Sequence, residues 1–189
     1  MKNKLVFAFV AASILPLSSH AQLLVGAHMN TSISGTVEIE LDSSFTVKED
    51  IDTNSVSFYI GKQNSRNNYF LLGFDNFSMK IEGDSEKIKA KGLRLDAHFV
   101  YGEKQVKPYF GLGFGVYTSD DILINDDITG VSFQLMGGAK VELTEQLELD
   151  FALQSQAIAW QDVEVGFGNT TMSIINSQVT LGAGIAYKF

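Results

Sequence analysis

The stretch LGAGIAYKF, Leu181 to Phe189, alternates at full strength up to the last residue. Leu181, Ala183, Ile185, Tyr187 and Phe189 are apolar or aromatic, and Gly182, Gly184, Ala186 and Lys188 between them are small or polar. Side chains of an extended strand point to opposite faces in turn, so this segment carries one oily face. Chain ends are ordinarily loose and polar, and this one ends on a phenylalanine in phase with the oily set. What that face lies against decides the fold.

The same period of two recurs along the chain. Strands are predicted over 22–33, 54–64, 68–81, 86–101, 106–118, 131–143, 147–160 and 171–189. The connections Ser65 to Asn67, Gly102 to Gln105 and Thr144 to Gln146 are tight. Those after the first, third, fifth and seventh strands are longer and more acidic, as in SDDILINDDITG (119–130), with the link after the third the short exception. An even number of up-and-down strands, with tight turns at one end and long loops at the other, is the layout of a small transmembrane barrel. Strands of this length can cross a hydrocarbon layer while tilted, which needs about 9–11 residues. The longest connection, 34–53, alternates at Val37, Ile39 and Leu41, and so reads either as a loop or as a hairpin extending the first two strands.

Composition narrows the setting. Residues 1–21, MKNKLVFAFVAASILPLSSHA, have the positive start (Lys2, Lys4), the 13-residue apolar run (Leu5 to Leu17) and the small-x-small ending of a secretory signal peptide. The domain expected after cleavage is 22–189. Without Lys2 and Lys4 there are 12 basic residues against 22 acidic ones, a net charge of −10 that argues against nucleic acid as a partner. There is no cysteine, hence no disulfide, thiol or zinc–thiolate chemistry. Glycine is plentiful at 17 and proline scarce at 2, in keeping with an all-β chain.

Alternation alone leaves open whether the oily face points in, as in a soluble lipocalin-like barrel, or out into lipid. Four features favour lipid. Gly111, Gly113, Gly115, Gly182 and Gly184 occupy the non-apolar face, where a tightly curved barrel has little room. The remaining polar positions of that face carry both signs: Arg94, Asp96, His98, Lys140, Glu142, Glu148, Asp150 and Lys188. Together they can form a paired network across the lumen, the condition on which buried charge is tolerable. Tyr101, Tyr187 and Phe189 fall near the tight-turn end and Trp160 near the long-loop end, as two interfacial girdles would require. A closing strand must also pair along its whole length to abolish sheet edges. The outward register then runs through Val25 and Met29, Val56 to Ile60, Phe70 to Phe74, Leu93 to Phe99, Phe110 to Val116, Val131 to Leu135, Leu147 to Leu153 and the odd residues from Val179 to Phe189. In the third strand the apolar phase shifts near Asp75-Asn76, from Phe70, Leu72 and Phe74 to Phe77, Met79 and Ile81, which suggests a bulge.

Through VGA (25–27), KPYFGLGFGVY (107–117), GGAKVELTEQLELDF (137–151) and the terminal YKF, the chain resembles the small eight-stranded outer-membrane barrels: the outer-membrane protein A transmembrane domain, its OmpX-like relatives and the opacity-type surface proteins. The likeness spans residues 22–189 at the level of pattern. It implies an all-β, eight-stranded antiparallel up-and-down transmembrane β-barrel in the Gram-negative outer membrane, expected as a monomer. It also implies that Tyr187 and Phe189 match the positions read by the barrel-assembly machinery. The peptidoglycan binding of the periplasmic domain that outer-membrane protein A carries after its barrel is not carried over to the expectation.

Chemistry finds little purchase. GLGFG (111–115) lacks the full dinucleotide pattern, and its glycines share one strand face. His28 with Ser32 or Ser34, and Asp84-Ser85, are raw material for a lipid A-modifying enzyme, but the local His-x-Ser arrangement is missing. The acidic outer segments lack calcium-loop spacing, and no metal or other cofactor is expected. Lys87, Lys89 and Lys91 share the outward face of the fourth strand just after an outer loop, where lipopolysaccharide phosphates could meet them. The expected role is non-enzymatic: a barrel in contact with outer-membrane lipids and lipopolysaccharide, presenting acidic loops to an unknown extracellular partner, with a structural, adhesion or envelope-stability function. The alternatives are a narrow channel, a lipid A-modifying enzyme and a soluble periplasmic binding barrel.

Overall fold

The computed structural model describes residues 22–41, 45–64, 66–83, 87–102, 104–120, 127–165 and 170–189. The signal-peptide reading concerns residues 1–21 and lies outside them, as do Asp84-Ser85 and the centre of the acidic loop at 121–126.

The described residues form nine strands: β1 (Gln22–Leu41), β2 (Phe45–Gln63), β3 (Tyr69–Ile81), β4 (Ile88–Val100), β5 (Val106–Asp120), β6 (Asp127–Glu142), β7 (Leu147–Trp160), β8 (Val163–Val165) and β9 (Thr170–Lys188). The eight long ones pair antiparallel in chain order, and β9 returns to β1 from Leu24↔Lys188 up to Leu41↔Met172, which closes the barrel. β8 is a three-residue addition on β9. The tight turns gather at one end, where local chemistry makes them. Asn64 Oδ1 accepts from the N–H of Arg66 (2.9 Å) and Asn68 (3.0 Å), and Asn67 takes a left-handed φ of 61°. Thr144 Oγ1 accepts from the N–H of Leu147 at 3.0 Å.

The outer wall is apolar. Phe58, Phe114 and Val131 are each more than 60% exposed, and Phe70, Phe74, Phe110, Phe133, Phe151, Leu153 and Ile185 are exposed with them. A contiguous belt of this kind has no place in water, whereas hydrocarbon demands it. At the tight-turn edge Tyr101, Tyr187 and Phe189 face outward, the last two in edge-to-face contact at 5.1 Å.

Above the belt the polarity inverts. Residues 34–41 and 45–53 pair as the two arms of a hairpin, with Thr36↔Asp50 through Leu41↔Phe45 continuing β1 and β2 beyond the rim. The switch is a β-bulge at Ile33: Ser32 pairs with Thr180 and Ser34 with Val179, leaving Ile33 unopposed. One extra residue exchanges the faces. Below it the even residues Leu24, His28 and Asn30 are buried; above it Val37 is. The inside of this outer section is a hydrophobic core of Val37, Ile51, Phe77, Met79, Ala90, Tyr117, Ile128, Ile158, Trp160, Met172 and Ile174. Its outside carries Glu38, Glu40, Asp52, Lys80, Lys89 and Lys91.

Two expectations are corrected by this core. β3 has no bulge at Asp75-Asn76: its pairing runs unbroken to β2 and to β4, and Phe77 and Met79 point inward because there the barrel interior is the oily side. Trp160 is not part of a lipid-facing girdle. It is 6% exposed inside the barrel, its Nε1 donating to Asn176 Oδ1 at 2.9 Å. As Trp160 is the chain's only tryptophan, its emission should be blue-shifted yet insensitive to brominated lipids and to acrylamide. Quenching by brominated lipid would return it to the outer wall.

Candidate functional site

The polar lumen below the hydrophobic core gathers charges from β3 to β7 and β9, each on an inward strand position. Nearest the tight-turn end, Glu142 Oε1 meets Lys107 Nζ at 2.7 Å and Lys188 Nζ at 2.9 Å. Lys188 also reaches Glu148 at 2.8 Å, and Lys140 spans Glu148 at 3.6 Å and Asp150 at 2.8 Å. Tyrosines hold these carboxylates from the other wall: Tyr69 OH donates to Glu148 (2.8 Å) and Tyr109 OH to Asp150 (3.0 Å). The Lys140 ammonium lies 4.6 and 4.9 Å from the centres of those two rings.

A second cluster sits higher. Arg94 contacts Asp75 through Nη1 at 2.6 Å and Asp96 through Nε at 2.8 Å. Tyr117 OH donates to Asp75 (2.6 Å) and Gln134 Nε2 to Asp96 (2.8 Å). Above it Gln156 Nε2 donates to Tyr117 OH and Gln178 Nε2 to Gln156 Oε1, a ladder that ends at the hydrophobic core. The glycines make the fit possible. A Cβ on Gly113 would strike Asp96 and Gln134, and one on Gly182 or Gly184 would strike His28.

The structure thus brings Arg94, Asp96, Lys140, Glu142, Glu148, Asp150 and Lys188 into two groups of ion pairs. His98 stands apart from them: it stacks on Tyr109 at 4.6 Å, and neither ring nitrogen has a hydrogen-bond partner. Asp75, Lys107 and the three tyrosines were not anticipated. Asp75 shows the parity of Gly73 and Leu71, a signal hidden by the supposed bulge. A void of about 20 Å³ lies among His28, Tyr59, Arg94, His98 and Tyr109, room for little more than a water molecule.

Elsewhere the raw material for catalysis stays dispersed. Ser32 Oγ accepts from the N–H of Thr53 at 2.8 Å, Ser34 is exposed, and neither nitrogen of His28 is bonded to a serine. Among the described residues no three His, Asp or Glu side chains are grouped to hold a metal. On the outer wall Lys89 and Lys91 project beside Ser78 and Asn76 of β3, just above Leu93 of the belt, with Lys87 at the strand's entrance and Lys80 on β3.

A closed antiparallel barrel of eight long strands, oily outside and charge-filled inside, defines an integral β-barrel of the outer membrane. The chain belongs to the outer membrane protein beta-barrel domain family, whose model matches residues 7–189, and the outer membrane is where it resides. Among solved structures it is similar to Neisserial surface protein A (NspA): 16% identity over 90% of this chain and 100% of that one, TM-score 0.57. It is also similar to the outer membrane protein OprG of Pseudomonas aeruginosa, with 14% identity over 89% of this chain and 95% of that one, TM-score 0.53. At such identities the likeness is one of fold. No curated protein matches the chain in sequence.

Arg94 neutralises two carboxylates whose side chains are 4% and 2% exposed. Arg94→Met should therefore cost about 3–5 kcal/mol, the usual penalty for leaving a buried charge without its partner. Adding Asp75→Asn and Asp96→Asn should recover most of it. Urea unfolding in lipid vesicles measures both; a wild-type midpoint for Arg94→Met would show that these pairs do not stabilise the barrel.

Proposed function

We propose that this protein is a non-conducting, non-enzymatic barrel that ties the outer leaflet together and holds an acidic sheet above the cell surface. The observation that carries the reading is the filled lumen. Two ion-pair clusters, a glutamine ladder and a hydrophobic core follow one another along the axis. An eight-stranded barrel has an interior that side chains can fill, and ions do not pass a layer of packed apolar side chains such as Phe77, Met79, Ile158 and Trp160. In planar bilayers the protein should give no stepwise conductance. Reproducible steps altered by Arg94→Met would establish the narrow channel instead.

Contact with lipopolysaccharide belongs to the same reading. Lys80, Lys87, Lys89 and Lys91 are exposed beyond the belt, where lipid phosphates would meet them, and among the described residues none of them forms an ion pair with a carboxylate. A basic side chain near an anionic membrane surface contributes about 1 kcal/mol. Tyr187 and Phe189 are proposed as the positions read by the assembly machinery, being exposed at the closing strand's end. Support for a non-enzymatic role comes from the separation of His28 from the nearby serines. Replacing Lys89 and Lys91 by Gln should lower the lipopolysaccharide that co-purifies while leaving the gel shift on boiling unchanged; unchanged co-purification would remove the contact from the proposal.

A further inference from the structure

One band of the outer wall changes its chemistry from end to end. Strand pairing sets Lys89, Ser78, Asn54, Thr31, Leu181 and Leu153 opposite one another in a single row across β4, β3, β2, β1, β9 and β7. The next outward row towards the tight turns reads Lys91, Asn76, Val56, Met29, Ala183 and Phe151. All are exposed except Ser78, which is half-buried. Every residue of the two rows but Lys91 lines one groove of about 1000 Å³. From β4 to β7 the band passes from ammonium groups through amides and hydroxyls to hydrocarbon. Its ends also differ in depth. Lys89 follows Ile88, where β4 begins at the outer end, whereas Phe151 is the fifth residue of β7 from the tight-turn end. Strands of a membrane barrel tilt by about 35–45°, so a row square to them slopes down the wall, from the lysines above the belt to Phe151 within it.

We propose that this sloping groove seats one molecule of a phosphorylated, acylated saccharide, the lipid A anchor of lipopolysaccharide. A phosphate meets Lys89 and Lys91, the sugars lie along Ser78, Asn76, Asn54 and Thr31, and an acyl chain runs over Leu181, Ala183 and Phe151. Such a seat presupposes the lipopolysaccharide contact proposed above and adds to it an orientation and a stoichiometry of one. A water-soluble occupant is excluded by position, since the β9 and β7 half of the groove lies in the belt. The lysines at the upper end select an anion. Amides and hydroxyls on β3, β2 and β1 span two strand spacings of about 4.8 Å each, a stretch that suits linked sugars better than one glycerol. The whole row covers five such spacings, roughly 24 Å, room for a headgroup and an extended chain. On β5 and β6 the outward residues stay apolar through Phe114, Val116, Phe133 and Val131, so among the described residues the polar recess is one-sided.

Native mass spectrometry of the folded barrel, offered hexa-acylated bisphosphorylated lipid A in detergent, should show one lipid retained per barrel. The same lipid stripped of its phosphates should be held about tenfold less tightly, as expected from the loss of two lysine contacts. Phosphatidylglycerol should also be held less tightly. These comparisons need no variant to fold. Ala183→Trp fills the acyl end of the groove without altering charge and should weaken retention by about tenfold as well. Leu135→Trp, on the outward face of β6 and outside the groove, should not. The gel shift on boiling confirms that each variant is folded. Should Lys89→Gln with Lys91→Gln weaken retention while Ala183→Trp leaves it unchanged, the lysine contact stands and the seat falls; should neither matter, both fall. Equal retention of the dephosphorylated lipid would overturn the phosphate assignment and the seat with it. Equal retention of phosphatidylglycerol would give the groove to a phospholipid and overturn the proposal, and so would no retention at all.

Discussion

In hydrocarbon a backbone amide has no water to turn to, and every N–H and C=O must find its partner within the protein. The closure of β9 on β1 meets that demand, and the remaining features follow from it. A sheet rolled into a barrel of eight long strands has a narrow interior and a broad exterior, so bulky rings go outside. Glycine and paired polar groups go inside. Gly113 against Asp96 and Gln134 shows how little space is left.

Filling such an interior with charge has its own logic. An isolated ion there would be prohibitive, so each carboxylate of the two clusters answers to a cation and mostly to a phenol as well. Asp75 accepts from both Arg94 and Tyr117; Asp150 accepts from both Lys140 and Tyr109. These contacts link β3, β4, β5, β6 and β7 across the axis, independently of the neighbour-to-neighbour ladder.

How far this was legible in the sequence depended on where along the strand one looked. Within the membrane, alternation means apolar outward, and the belt, the closing strand and seven charged lumen positions follow from parity. Above the membrane the same alternation means apolar inward, and parity by itself has no sign. That is why the apolar residues Phe77 and Met79 suggested a bulge in β3 where none exists, and why Asp75 escaped notice. Trp160 was misplaced for the same reason. The true bulge, at Ile33, left no break to see: the apolar residues stay on odd numbers from Val25 through Ile33 to Leu41, because the exchange of faces coincides with the inversion of polarity. Lys107 lies at a strand's start beside Pro108, where pattern is weakest. The stacking of His98 on Tyr109 is a contact that no one-dimensional pattern contains.

The inversion of polarity along each wall also works as a waterline. On β4 the outward residues change from Leu93 to Lys91 within two positions, and on β2 and β3 from Val56 and Phe74 to Asn54 and Asn76 within the same distance. Sinking the barrel by one such step, roughly 7 Å of strand before tilt, would drag a lysine row into acyl chains. Raising it would expose a row of phenylalanines and leucines to water at about 25 cal/mol per Å². Both displacements are uphill, so the molecule floats at one draught and resists rocking. The charged arms of β1 and β2 beyond the rim are thereby carried at a constant height above the lipid, as a fixture of the membrane plane.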